Sequence, residues 1–344
     1  MLRPLSHANP RNRWEAVNRE YDLGEVPTVR LRVFEDDTRS IISTNDSPDV
    51  PFRYSLNPYR GCAHGCAYCY ARPSHEYLGF GSGTDFERKL VAKPHAAELL
   101  RAHFQKRSWQ GDLLVMSGIT DCYQPLEAEL ELTRGCLEVC VEHRNPVHII
   151  TKSALVERDI DVLTRLHACA SVGVSVSVTF WDAEVARAIE PYAPAPRRRI
   201  ETIRRLSEAG IPVLLHIAPL IPGLADRDVI RILEAARKAG ARSAIYTPVR
   251  LPGSVKEVFE TRLREAFPDR AEKVLARVRE MRGGKLNESR FFDRMEAKGE
   301  YAASIDNMFR ATVRRLGYEK FPEARTGTFR RPGAARQLDL FAKK

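Results

Sequence analysis

No stretch of this chain approaches the ~18 to 20 consecutive apolar residues that a membrane-spanning helix needs, and residues 1–13 lack the apolar core of a secretion signal. A soluble, cytoplasmic protein with no membrane partner is therefore expected. Internal repeats are missing too, so a solenoid is set aside. Disulfide arithmetic fails as well. The seven cysteines are an odd number, with three crowded into residues 62–69 and the rest scattered at Cys122, Cys136, Cys140 and Cys169. That pattern suits a metal site better than a disulfide framework. What remains is ordinary globular composition, 344 residues at 43% hydrophobic and 29% charged, enough for two modest domains or one large one with extensions.

Charge is unevenly spread. The chain carries 55 basic and 45 acidic side chains for a net +10; residues 1–250 hold 33 and 31 of them, whereas residues 251–344 hold 22 and 14. The positive field belongs to the C-terminal part, where it suits either a polyanion such as nucleic acid or an acidic membrane surface, or a solvated arginine-rich helix face.

Residues 1–51 mix charges with turn formers, including Asn45-Asp46-Ser47-Pro48, and read as an irregular leader. From 52 to 250, short apolar runs near 53–56, 113–116, 147–150, 172–178, 213–217 and 244–246 alternate with helical spacing over 96–106, 126–143, 155–170, 199–209 and 228–239. Ala-Gly pairs at 209–210 and 239–240 close two of those helices. Such alternation predicts parallel βα units and six strands. Beyond 251 the strand signals stop: residues 251–319 read as a basic helical extension with helices over 256–267, 270–281 and 288–316, and residues 320–344 as a flexible basic tail.

The strongest chemical signal is Arg60-Gly61-Cys62-Ala63-His64-Gly65-Cys66-Ala67-Tyr68-Cys69-Tyr70, a C-x3-C-x2-C spacing just after an expected strand. Three thiolates on one loop can hold an iron–sulfur cluster and leave one iron open for a substrate or cofactor. Structural zinc is the rival; it would want a fourth ligand, from His64, His75 or a distant cysteine. Gly61 and Gly65 let the backbone turn tightly. Cys136 and Cys140, four apart on an expected helix, share a face and read as small apolar packing.

The cysteine motif, with aromatic Tyr68 just before its last cysteine, resembles the radical S-adenosylmethionine (SAM) enzymes. That resemblance implies a [4Fe-4S] cluster on Cys62, Cys66 and Cys69, SAM chelating the fourth iron, reductive cleavage to a 5′-deoxyadenosyl radical, and an electron donor such as flavodoxin or ferredoxin. It also implies a partial (β/α)6 TIM-like barrel, matching the six strands. Cys69-Tyr70, Thr151-Lys152, Val176-Ser177-Val178-Thr179 and Ile217-Ala218-Pro219-Leu220 bring the chain closer to the spore photoproduct lyase-like branch, described as DNA repair photolyase-like. Residues 57–62 and 71–77 look most like an uncharacterised bacterial group within it.

By the same resemblance Tyr68, Lys152 and Ser177 are cofactor contacts, and Ser117 to Thr120, including Gly118, lie where the family binds the methionyl amino group. These are strand ends, where barrel active sites collect. The branch has a hydrogen-donating cysteine after its second strand; this chain has Gly118 there, and Cys122 four residues later is the candidate donor. At the C-terminus, Gln337-Leu338-Asp339-Leu340-Phe341 resembles the bacterial sliding-clamp motif, which makes Gln337, Leu338, Leu340 and Phe341 candidate partner contacts. With Arg325, Arg330, Arg331 and Arg336 on phosphates, the expectation is a radical SAM enzyme acting on DNA or a nucleic-acid lesion. The alternatives are a radical SAM enzyme with a protein or small-molecule substrate, and a clamp-associated binding protein with a structural zinc.

Overall fold

The structure, a computed structural model, describes residues 31–332. The first 30 residues, Arg336 and the Gln337–Phe341 motif lie outside the described residues. Ten strands occur among the described residues: β1 Arg32–Glu35, β2 Ile42–Thr44, β3 Tyr54–Leu56, β4 Tyr59–Arg60, β5 Lys89–Ala92, β6 Leu114–Met116, β7 Val147–Thr151, β8 Val172–Ser177, β9 Val213–Leu220 and β10 Ser243–Pro248. The helices are α1 Thr84–Arg88, α2 Ala96–Phe104, α3 Glu127–Leu130, α4 Leu132–His143, α5 Ile160–Cys169, α6 Ala183–Ile189, α7 Pro196–Glu208, α8 Val229–Lys238, α9 Val255–Ala266, α10 Pro268–Met281 and α11 Glu300–Arg315.

Strands β3, β6, β7, β8, β9 and β10 form one parallel sheet in that order, with β2 antiparallel at the β3 edge. All six expected strands are present. Alternation explains their packing: Val172, Val174 and Val176 of β8 and Val213, Leu215 and Ile217 of β9 lie in one core with Leu137, Leu166, Ile203 and Leu233 of the surrounding helices. Full burial of each such side chain contributes roughly 1.5–3 kcal/mol.

Four expectations change. The leader is not wholly irregular: β2 extends the main sheet, and β1 pairs with β5, which joins β4 in a second, small sheet. Their partners lie up to about 57 residues away in sequence, so no local pattern marks them. The helix expected over 126–143 breaks at Glu131, where φ is 50°. The helix expected from 288 begins only at Glu300, and residues 288–299 form an irregular loop.

The fourth change concerns 320–332, expected to be mobile. This segment is a strap across the N-terminal ends of the strands. Glu319 N–H bonds to Arg242 O ahead of β10, Phe321 lies against His148 and Gly173, and Arg325 N–H bonds to Ser171 Oγ ahead of β8. Arg330 N–H then reaches His143 O at 2.8 Å, and Arg331 donates to the carbonyls of Phe104, Lys106 and Trp109. Few apolar residues make the segment look disordered, but its arginines find backbone acceptors that only the folded barrel offers.

The extension is more than an annex. α9 and α10 bury Val255, Phe259, Leu263, Val274 and Leu275 in a core shared with Cys66, Ala67 and Tyr68. α11 adds Ala302, Ile305 and Phe309 to the main core. No helix among the described residues is long and apolar enough to cross a membrane.

Candidate active site

The cysteine loop leaves β4 at the C-terminal end of the barrel. Gly61 takes φ +74°, and a Cβ there would lie 2.9 Å from both His75 Cε1 and Phe86 O, so only glycine fits. The loop is then fastened by side chains that carry no motif. Arg72, fully buried, donates to Cys66 O (2.9 Å), Gly65 O (3.0 Å), Ser82 O and Gly83 O (both 2.9 Å) and pairs with Glu87 at 2.5 Å. Gln124, also fully buried, donates Nε2–H to Gly61 O (3.1 Å) and accepts Ala63 N–H (2.9 Å) at Oε1. A guanidinium this deep persists because a carboxylate and four carbonyls satisfy it.

Cys62, Cys66 and Cys69 are free thiols, the first two buried and the third half-buried. Burial raises all three thiols; nearby Asp121 adds to this at Cys62 and Glu190 at Cys66, while Arg72 works against it at Cys69. Their thiolate forms therefore need a bound cation to stabilise them. Among the described residues no three His, Cys, Asp or Glu side chains converge on a single-ion site. His64 Nδ1 instead faces Asp121 Oδ2 at 3.4 Å, and His75 Nε2 is 2.8 Å from Lys89 O. Neither completes a zinc tetrahedron. Three soft sulfur donors on one loop fit an iron–sulfur cluster.

The other candidates lie at neighbouring strand ends. Ser117, just past β6, holds a left-handed φ of 72°, which costs a non-glycine residue about 1 kcal/mol and is typical of functional strain. Its Oγ accepts Cys122 N–H at 2.8 Å. Gly118 is close to Ser55, and its carbonyl accepts the Tyr70 hydroxyl at 2.6 Å. Asp121 binds this loop to the next strand: Thr151 Oγ1–H and Lys152 N–H donate to it at 2.7 and 2.8 Å. Burial opposes the Asp121 charge, but His64 and these donors hold its carboxyl below the usual range. Lys152 Nζ stands 5.5 Å from the Tyr68 ring centroid and 3.4 Å from Ala218 O. The Tyr68 hydroxyl donates to Glu190, itself paired with buried Arg199, and lies 3.4 Å from Thr179 Oγ1. Arg199 also donates to Ser177 O at 3.2 Å.

The fold thus gathers the cysteine loop, Tyr68, Ser117, Gly118, Lys152 and Ser177 at one end of the barrel. Thr120 is there but occupied, its hydroxyl donating to Tyr59 O at 2.8 Å. Cys122 is misplaced for its expected role: it has no exposure and belongs to the main core, so its thiol packs rather than meeting a substrate. Cys136 and Cys140 are core residues. Sequence reasoning missed Arg72, Glu87, Asp121, Gln124, Glu190 and Arg199: Asp121, Gln124 and Glu190 have partners 30 or more residues away, and Arg72, Glu87 and Arg199 bond within 22 residues but through burial that no local pattern marks.

The profile of the Radical SAM superfamily matches residues 56–236, more than half of the chain and including all three cysteines. The chain belongs to the radical SAM superfamily. Among relatives of this radical SAM protein, an uncharacterised protein of Mycobacterium tuberculosis is 34% identical over 268 residues, covering 75% of this chain and 78% of the relative. An uncharacterised protein of Methanocaldococcus jannaschii is 31% identical over 178 residues, 52% of this chain and 64% of the relative. Among solved structures, a spore photoproduct lyase mutant with bound AdoMet and dinucleoside spore photoproduct superposes with a TM-score of 0.58 at 15% identity, covering 83% of this chain and 79% of that one. Another mutant of that lyase reaches 0.60 at 14% identity, with 89% and 86% covered. The fold is of the spore photoproduct lyase type. Its cofactors are a [4Fe-4S] cluster and SAM, and Cys62, Cys66 and Cys69 are the candidate ligands of the cluster.

Proposed function

We propose that this radical SAM enzyme abstracts hydrogen from a nucleic-acid substrate presented at the barrel mouth. The observation that carries this reading is the rim. Tyr70 and Ile119, joined through Gly118, are 51% and 43% exposed, and Phe291 and Phe292 are 51% and 58% exposed. Between them Arg250 reaches Met295 Sδ at 3.1 Å, and its buried Nε has no hydrogen-bond partner. Aromatic faces beside a guanidinium suit stacked bases and a phosphate. The lyase that shares the fold is complexed with dinucleoside spore photoproduct, which supports the same substrate class.

When bound, the cluster and SAM would supply the hydrogen-abstracting radical. The chain's own residues do the rest. Arg72 and Gln124 fix the thiol-bearing loop, Lys152 places a positive charge over Tyr68, and Asp121 holds Lys152's backbone beside the Ser117 loop. The apolar contacts of α9 and α10 behind Cys66 and Tyr68 keep water from that side.

The test is an anaerobically reconstituted holoenzyme given deuterated DNA and RNA oligonucleotides. Deuterium in the 5′-deoxyadenosine product is expected; cofactor cleavage without deuterium transfer from either polymer overturns the reading. A protein or small-molecule substrate is the second reading, favoured by how the basic excess is spent. Arg264, Arg277, Arg290, Arg294 and Arg310 are paired with carboxylates, and Arg325 and Arg331 are turned onto the barrel's foot rather than onto phosphates. Binding that ignores salt would favour it.

For partners, we propose that Gln337, Leu338, Leu340 and Phe341 dock on a sliding clamp, and that flavodoxin or ferredoxin delivers the electron. The strap supports the first: it is tied down as far as Arg331 at the foot, so a partner held beyond it leaves the mouth free. Replacing Leu340 and Phe341 by alanine abolishes clamp binding; unchanged affinity would remove the claim.

A further inference from the structure

Two histidines inside the barrel have no part in the site above. Aligned residues in parallel strands share a face, and β7, β8, β9 and β10 register His148 with Gly173, Ser175 with Leu214, Ser177 with His216, and His216 with Ile245. This set alternates with the valines and leucines packed against the helices, so it faces the barrel axis. Such positions in closed barrels are filled with branched apolar side chains. Here the set is largely polar and only partly open: Ile245 is 44% exposed and His148 and His216 are half-buried, while Ser175, Ser177 and Leu214 are buried.

Each imidazole is tied to a hydroxyl on the next strand: His148 Nε2 lies 2.7 Å from Ser175 Oγ, and His216 Nε2 lies 2.8 Å from Thr247 Oγ1. Those contacts fix the rings: the other ring nitrogen of His148 faces Gly173 beside Phe321, and that of His216 is the one left for a guest. Phe321 of the strap closes the barrel beneath His148, with ring centroids 5.3 Å apart. Gly173 makes room for it, because a Cβ there would lie 2.6 Å from the phenylalanine ring. Burial lowers His148 to about 4, and burial together with the Lys152 charge lowers His216 to about 3, so both rings are neutral at neutral pH.

We infer that His216 with Thr247 and His148 with Ser175 form the floor of the substrate well and select a neutral, planar ring with a hydrogen-bonding edge, a nucleobase. The inference rests on the nucleic-acid reading above. A cationic guest would meet Lys152 at the mouth and no carboxylate on the registered inward positions. An anionic guest would be held at Lys152 and meet no lysine or arginine on the registered inward positions below. A base edge offers the alternating donors and acceptors that the His216 imidazole and the Thr247 hydroxyl can match, and Leu214 and Ile245 supply apolar contact to its faces.

The experiment uses the reconstituted holoenzyme and homopolymeric oligonucleotides of each of the four bases, read by deuterium transfer, with iron content per chain as the folding control. Wild type should prefer one base; His216→Leu and Thr247→Val should raise KM for the preferred polymer at least tenfold, lower kcat by less, and flatten the preference. His216→Gln, which keeps one hydrogen-bonding edge, should recover part of it. If wild type responds to oligonucleotides but the variants keep its KM and base preference at full iron content, the floor is refuted while the substrate class stands. If wild type ignores every oligonucleotide, both readings fall. Should His216→Leu lose its iron, Thr247→Val, which leaves the imidazole in place, decides by the same two readouts.

Discussion

The two ends of the barrel are both fastened by arginines on backbone carbonyls, yet they are fastened differently. At the mouth, Arg72 and Arg199 are fully buried, each paired with a buried carboxylate, Glu87 and Glu190, besides its carbonyls. At the foot, Arg331 and Arg325 reach the carbonyls of Phe104, Lys106, Trp109 and His167 from the surface, without a carboxylate. Water competes for the second kind of contact and not for the first. The mouth is therefore a fixed frame around the cysteines, and the foot is a strap held by modest increments.

Four outcomes can break or sharpen that contrast. The largest is chemical: Cys66→Ala should reduce the iron–sulfur absorption near ~400 nm and 5′-deoxyadenosine formation to background. Retained cleavage would mean the thiols at the mouth are not the cluster ligands. Next, Arg72→Met should destabilise the protein by about 3–5 kcal/mol in denaturant unfolding, because Glu87 is left as an unpaired buried carboxylate. A loss under about 1 kcal/mol would erase the difference between the two ends.

Acidification probes the space between them. His75, His148 and His216 are lowered from 6.5 to about 4, about 4 and about 3, mainly by burial. The unfolded chain therefore binds their protons first. Stability should be flat above pH 6.5 and fall as pH drops toward 4, by about 1 kcal/mol per histidine per pH unit. Thermal unfolding across that window checks it, and a flat profile would show that the inner histidines already accept protons in the folded barrel. The smallest effect is Arg331→Ala, expected to cost about 1 kcal/mol or less in the same unfolding measurement. A larger cost would make the foot as rigid as the mouth.

Five of the six strands were legible because each is a short apolar run followed by helical spacing, β3 being followed instead by the cysteine loop, and the three cysteines were legible because their spacing is local. β1 and β2 were not, since charged and polar neighbours hide them and their partners come from elsewhere in the chain. Cys122 shows the limit at the site itself. A distance of four residues from Gly118 says nothing about direction, and the turn after Ser117 carries its side chain into the main core. Residues 320–332 show the reverse error: a composition poor in apolar residues suggested disorder, while Phe321, Phe329 and Arg331 had their acceptors and contacts waiting on the barrel.

By itself, the sequence determined the βα alternation, the three thiols and the membership they imply, because these depend on periodicity and on cysteines within eight residues of one another. Tertiary structure alone decided which groups hold that loop in place, that the inside of the barrel is polar, and that the basic C-terminal region divides into a support for the cysteine loop and a strap at the opposite end. Those outcomes depend on burial and on partners brought together from distant parts of the chain, and a charge or a hydroxyl has no fixed role until its surroundings are known.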